Sequence, residues 1–222
     1  MKKLLPGILA VMMLMGSCQQ EESSSVDQTR IYTHYELFYD KNENKTYAKA
    51  YFTFGNATGT SLELSAPSEV KFNGDLLLHN ATTGVYEKIY TGLVPAGTFV
   101  YKNGDGTLYT NTTDTLEAVD FPATPSVIDI SKSQDTRFPW VGTTVSAGET
   151  IYLGVAFNSY TETTPGEDSI KVQASSLQNT ALGAYVGLMD RFTITTPVQK
   201  PDAGGVMTIK YRAVNKNFQV VN

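Results

Sequence analysis

Two histidines and one cysteine limit the chemistry available to this 222-residue chain. A serine nucleophile needs an imidazole within reach to take its proton. Only His34 and His79 could supply one, and no Gly-x-Ser-x-Gly elbow is present. Alternating residues put His34 inside a strand and His79 at a strand end, so both read as solvated or hydrogen-bonded side chains rather than bases. Two histidines without ligand spacing also make a poor zinc site. A glycoside hydrolase would need a facing pair of carboxylates. The 22 acids here fall mostly in polar turns or at outward positions of alternating runs, and no pair stands out. The expectation is a non-enzyme, with no catalytic, cofactor-binding or metal-ligating residue.

Two turns have oxygen-bearing residues at spacings that could hold calcium. Asp40-Lys41-Asn42-Glu43-Asn44 places them at alternate positions, but Lys45 stands where a calcium loop needs glycine and Tyr51 where it needs the closing glutamate. Asn103-Gly104-Asp105-Gly106 also fits locally; counted from Tyr101, the loop begins on an aromatic and ends on Thr112. Both read as hairpin turns, which favour Asn, Asp and Gly on conformational grounds alone. Aromatic faces that could stack on a sugar are the other candidates. Trp140 and Tyr160 could make such a platform, but Trp140 follows Arg137-Phe138-Pro139 and precedes a β run, the setting of a core tryptophan.

The N-terminus is more explicit. Met1-Lys2-Lys3 is a short positive start, residues 4–15 are apolar apart from Pro6 and Gly7, and Gly16-Ser17 precede Cys18. A charged start, a short apolar run and small residues before a cut make an export signal. About 12 apolar residues are too few to span a bilayer, which takes roughly 20. Met15-Gly16-Ser17-Cys18 resembles the bacterial lipobox, with Met15 where Leu is commoner and Ser17 where Gly or Ala is commoner. The resemblance implies that residues 1–17 are removed and that Cys18 takes a diacylglycerol and an acyl chain; no cofactor is expected beside them. Two or more chains would hold the protein firmly to the membrane. It also leaves no thiol as a nucleophile or for a disulfide.

Residues 18–28 read as a flexible acidic tether, since Gln19-Gln20-Glu21-Glu22 and three serines cannot bury a core. Glu21-Glu22 so close to Cys18 resembles the surface-export signal of Bacteroidota lipoproteins; the alternative is a plain spacer facing the periplasm. Under the same resemblance, Asp114-Thr115-Leu116 and Asp168-Ser169-Ile170 look like that group's O-glycosylation motif, which would modify Thr115 and Ser169. Loss of residues 1–17 removes Lys2 and Lys3, leaving 15 basic against 22 acidic side chains and a charge of −7 on 205 residues. That balance argues against nucleic acid as a partner.

The elements that must carry these residues are strands. The chain has 13 Tyr, 10 Phe and 18 Gly, and short alternating runs are separated by Gly, Asn, Asp and Pro. The best helical candidate, 175–189, contains Gly183 and Gly187, which argue against a long helix. Asn73-Gly74 and Asn103-Gly104-Asp105-Gly106 mark hairpins, and Ala147-Gly148 leads into another strand. Two prolines in 121–125 suggest a boundary. The expected fold is therefore all-β, with two tandem immunoglobulin-like sandwiches at 29–121 and 122–222, or one large sandwich as the alternative.

The first hairpin can be specified by register. Strands at 31–39 and 46–54 should pair with partner numbers summing to 85, because a one-residue slip would turn every side chain over. Ile31, Thr33, Tyr35, Leu37 and Tyr39 then share the core face with Thr46, Ala48, Ala50, Phe52 and Phe54. On the other face Glu36 meets Lys49, and Phe38, Tyr47 and Tyr51 make an aromatic stripe. The stripe is expected to pack under a loop or the second domain, or else to serve as a ligand platform. The functional expectation is a lipid-anchored outer-membrane protein facing the cell surface, acting as a binding or adhesion module for a glycan or an envelope protein. The alternative is a structural accessory subunit of an outer-membrane assembly.

Overall fold

The computed structural model describes residues 21–222. The expected export signal, Cys18 and the start of the expected tether lie outside the described residues. The first strands are β1 (Glu21–Glu22), β2 (Ile31–Asp40), β3 (Lys45–Phe54), β4 (Ser61–Glu63), β5 (Glu69–Phe72), β6 (Asp75–Leu76), β7 (Leu78–Asn80), β8 (Val85–Thr91), β9 (Thr98–Lys102) and β10 (Leu108–Thr112). They are followed by β11 (Val119–Asp120), β12 (Val127–Ser131), β13 (Thr136–Pro139), β14 (Val141–Gly142), β15 (Glu149–Val155), β16 (Asn158–Glu162), β17 (Ser169–Val172), β18 (Gly183–Thr195), β19 (Gly205–Arg212) and β20 (Lys216–Val221). The fold is all-β and immunoglobulin-like in its sandwich packing. The helical candidate at 175–189 resolves into a short 3-10 turn, Ala174–Leu177, and the first half of β18. Gly187 has a packing role there: a Cβ would stand 2.3 Å from Cε2 of the buried Phe218, so only glycine lets β18 cross that ring.

The hairpin register is as the alternation requires, from Ile31 opposite Phe54 through Glu36 opposite Lys49 to Asp40 opposite Lys45. Tyr35, Leu37, Ala48, Ala50 and Phe52 are buried on its inner face. A second layer, in the order β10-β9-β5-β6, covers them. Its Phe99 stacks on Tyr35 at 4.9 Å and its Tyr101 lies 4.7 Å from Phe52.

The front sheet runs β1-β4-β3-β2-β19-β18-β15-β16. The pairing of β2 with β19 is parallel over eight residues, from Thr33 opposite Gly205 to Asp40 opposite Arg212. The proline-bearing segment 121–125 does fall in a loop, but the halves on either side of it share this sheet. The arrangement therefore lies between the two expected ones: two sandwich lobes built on one continuous front sheet. In the second lobe, β18 serves both layers. Its residues 183–187 pair with β20, and its later residues pair with β15 and β19. Phe121, Phe138 and Phe218 fill the space between, with ring centroids 5.6–6.4 Å apart.

Residues 21–28 do not form the expected flexible tether. Glu21 and Glu22 pair in parallel with Leu62 and Glu63 of β4. Ser23 is buried and its Oγ accepts from the Ser65 N–H at 2.9 Å. Gln28, also buried, donates to Ser23 O at 2.6 Å and accepts from Gly104 N–H at 2.9 Å. Polar composition argued for solvation, but small serines fit against an open strand edge, whose unpaired backbone groups gain partners.

Candidate binding face

The front sheet has one buried face and one that meets solvent. Side-chain alternation assigns the outer face to even residues of β2, β19, β18 and β15 and to odd residues of β3, β8 and β16. The Phe38–Tyr47–Tyr51 stripe lies here. Phe38 and Tyr47 stack with ring centroids 5.8 Å apart. The structure changes what surrounds them. Lys49 Nζ sits 5.6 Å from the Phe38 centroid and 5.0 Å from that of Tyr47, and Lys210 Nζ and Arg212 Cζ lie 4.2 Å and 5.2 Å from Phe38. Phe38 is thus shielded by long cationic side chains of its own sheet, whose stems cover apolar surface while their heads stay wet. Each such cation–ring contact is worth about 0.5–1 kcal/mol at a partly exposed site.

The cations are themselves paired. Lys49 lies 3.6 Å from Glu36 and 3.9 Å from Glu87, and Lys210 lies 3.7 Å from Glu36. Arg212 donates to both carboxylate oxygens of Asp190, at 2.7 and 2.8 Å. Tyr47 donates a short hydrogen bond to Glu43, which, with the burial and carboxylate charge around it, pushes its phenol up to about 12. The face therefore presents aromatic surface among neutralised charges rather than a field of one sign. Sequence reasoning missed Lys210 and Arg212, because β19 reaches β2 across more than 160 residues. Alternation in Gly205–Arg212 defines a face but not a partner strand.

His34 sits at one end of this stripe. It is not a solvated side chain as expected: it is 5 % exposed, and its Nε2 has no hydrogen-bond partner among the described residues. Its ring stacks on Tyr51 at 3.8 Å and tilts against Tyr32 at 4.9 Å. Burial pushes its imidazole down to about 4, so it is neutral at pH 7. Tyr51 remains 39 % exposed, with His34 as its support.

The other sequence candidates lie elsewhere. Trp140 is a core residue whose Nε1–H donates to Thr143 O at 3.0 Å, and Tyr160 is buried with its hydroxyl 2.6 Å from Ser176 Oγ, so the pair forms no platform. His79 Nδ1 is 3.4 Å from Glu63 and its ring stacks on Tyr86. In the two turns with calcium-like spacing, Asp40 Oδ1 accepts from Asn42 N–H and Asn103 Oδ1 accepts from Asp105 and Thr107 N–H. These oxygens hold their own turns. No group of three or more His, Cys, Asp or Glu among the described residues could hold a metal ion. Ser169 is buried in β17 and its Oγ accepts from Arg137 at 2.8 Å, which removes it as a modification site; Thr115 is exposed. No helix among the described residues is long and apolar enough to cross a membrane.

No protein-family model matches the chain, and no curated protein matches it. Among solved structures it is similar to a calcium-stabilised adhesin of an ice-binding Antarctic bacterium, at 16 % identity and a TM-score of 0.28, covering 86 % of this chain and 49 % of that one. A 1.5-MDa bacterial ice-binding adhesin gives 15 % identity and a TM-score of 0.26, covering 85 % and 64 %. The fibronectin(III)-like modules of Clostridium thermocellum CbhA give 9 % identity and 0.29, covering 85 % and 89 %. The chain spans less than two thirds of either adhesin chain.

Proposed function

We propose that this chain is a lipid-anchored protein of the outer membrane, attached through Cys18 and facing the cell surface, that works as a non-catalytic binding or adhesion module. The single observation that carries the binding role is the outer face of the front sheet. Eight strands about 4.8 Å apart make it about 34 Å across. It holds Tyr47, Tyr51 and Phe38 among internally neutralised charges, and Ile89, Ile194 and Leu78 of the same sheet are exposed. Exposed apolar surface rimmed by polar residues is the usual mark of an interaction site. Aromatic rings flanked by paired charges suit a glycan or an envelope protein as ligand. The acidic balance supports exclusion of nucleic acid.

The N-terminal anchor supports the same reading. β1 begins three residues after Cys18, so a chain reach of about 3.3–3.6 Å per residue holds the β1–β4 edge within roughly 10 Å of the lipid. A glycan array and a surface pull-down test the proposal, each comparing wild type with Tyr47→Ala/Tyr51→Ala. Capture by wild type that falls at least tenfold in the folded variant supports the face as the ligand site. Equal capture by both rejects it.

A further inference from the structure

The hairpin joining β15 to β16 is built against its own backbone preference. Val155 pairs with Asn158, which leaves Ala156 and Phe157 as a two-residue turn with φ of +53° and +63°. Both central residues must be left-handed in such a turn, which is why Asn-Gly is favoured there. The chain uses those residues elsewhere: Phe72 pairs with Asp75 around Asn73 and Gly74, at φ of +51° and +88°. At 156–157 it accepts two side chains in a conformation they resist, and the second, Phe157, is 97 % exposed. Strain of this kind persists where the residue placed by it has a use.

Beside the apex is an open cavity of about 570 Å³, within the range of small-ligand sites. Its walls include Tyr152, Phe157, Asn158, Ser159, Tyr185 and Val186, and none of the residues lining it is charged. Phe157 and Tyr185 stand nearly perpendicular, at 85°, with centroids 6.0 Å apart. Tyr152 leans over Gly154, where a Cβ would lie 3.2 Å from the ring. The Asn158 amide nitrogen donates to Ala156 O at 2.8 Å and to Thr180 Oγ1 at 3.4 Å, leaving its side-chain carbonyl to accept.

We propose that this cavity is a subsite for one unit of a neutral glycan chain. Two aromatic walls match the C–H faces of a sugar ring, and the Asn158 carbonyl and Ser159 hydroxyl match its hydroxyls. The uncharged lining disfavours acidic sugars and anionic lipid. β16 and β1 lie on opposite edges of the front sheet, so the strand that follows Cys18 and the Phe157 apex are separated by the sheet's full width. With Cys18 lipidated, as proposed above, the apex lies at the sheet edge farthest from the anchor. The assignment uses none of the Phe38–Tyr47–Tyr51 stripe and stands or falls apart from it.

The test uses the chain from residue 18 onward with Cys18→Ser, which contains every described residue. Calorimetric titration with cellopentaose, maltopentaose, mannopentaose, xylopentaose and pentagalacturonic acid measures binding, and phosphatidylcholine vesicles supply a lipid arm. We expect at least one neutral pentaose to bind. Phe157→Ala and Tyr185→Ala should each weaken it at least tenfold, and Phe157→Trp should retain it. Ala156→Asn/Phe157→Gly restores the favoured turn, so it should melt higher than wild type and lose the sugar; this variant keeps the test independent of folding defects. The proposal is overturned by no neutral binding, by preference for the acidic oligomer, by full affinity in Phe157→Ala or in the Asn-Gly variant, or by Phe157-dependent vesicle binding without sugar binding.

Discussion

Replacing Arg191 with methionine should cost more stability than almost any other single change to this fold. Arg191 is 2 % exposed and carries its charge inside the second lobe. It donates to both carboxylate oxygens of Glu149, to Thr143 O at 2.9 Å and Oγ1 at 2.8 Å, and to Thr144 O at 3.0 Å. One guanidinium thus ties β15 and β18 to the loop 143–146, whose Ser146 N–H also reaches Glu149 at 2.7 Å. Methionine keeps the stem and removes the charge, leaving Glu149 buried without its counter-charge and the Thr144 carbonyl without its donor, while Thr143 O keeps the Trp140 N–H. Breaking a buried pair from one side costs about 3–5 kcal/mol. At about 2–4 °C per kcal/mol for a domain of this size, the melting temperature should fall by roughly 6–20 °C. Replacing both partners, Arg191→Met/Glu149→Leu, should recover part of that loss, because no charge is then stranded.

The pair also carries a pH signature. Burial pushes Glu149 up, but the hydrogen bond from Arg191, the Ser146 N–H and the Arg191 charge outweigh it and hold the carboxyl below its ordinary 4.5. A depressed carboxyl binds fewer protons folded than unfolded. Its stability is therefore present above about pH 4.5 and is lost as the pH falls toward the lower folded value. Thermal melts of wild type and both variants from pH 3 to 7 measure this. A shift below about 3 °C for Arg191→Met at pH 7, or an unchanged acid slope, would refute the reasoning.

His34, pushed down to about 4 by burial, gives the second pH dependence: the unfolded chain takes up a proton below 6.5 and the folded one does not, so stability should fall by about 3 kcal/mol from pH 6.5 to 4. Melts of His34→Leu over that window should lack this fall, and a slope equal to wild type would contradict it. Gly187→Ala should destabilise by about 1–3 kcal/mol, read by urea unfolding, because its Cβ would meet the buried Phe218 ring at 2.3 Å. Cys18→Ala should abolish metabolic incorporation of a fatty-acid analogue, since Cys18 is the only thiol; equal labelling would remove the anchor from the account.

The parts legible in the sequence are those that local physics decides. Alternation in 31–39 and 46–54, with the turn centred on Asn42-Glu43, put Ala48 and Ala50 inside, and that register is the one found. Asn73-Gly74 marked its turn because those residues favour left-handed backbone. What was hidden depends on distant partners. The parallel β2–β19 pairing brings Lys210 and Arg212 onto Phe38, but nothing near Phe38 specifies it. β18 reads as an ambiguous run because its two halves serve different layers. Glu21–Ser25 looked like solvated tether because an edge strand's need for a partner is a property of β4, not of those residues. The Ala156-Phe157 turn carries no turn signal at all, since it is made from residues that disfavour it.

The central claim is that the outer face of the front sheet meets a ligand at the cell surface. Site-specific photo-crosslinking in living cells tests it most directly, with a benzoylphenylalanine placed at Tyr51 on that face or at the exposed Lys171 of β17 as control. The account predicts a discrete light-dependent adduct, resolved by mass spectrometry, from position 51 and none from position 171. No adduct at 51, or the same adducts at both positions, would contradict it.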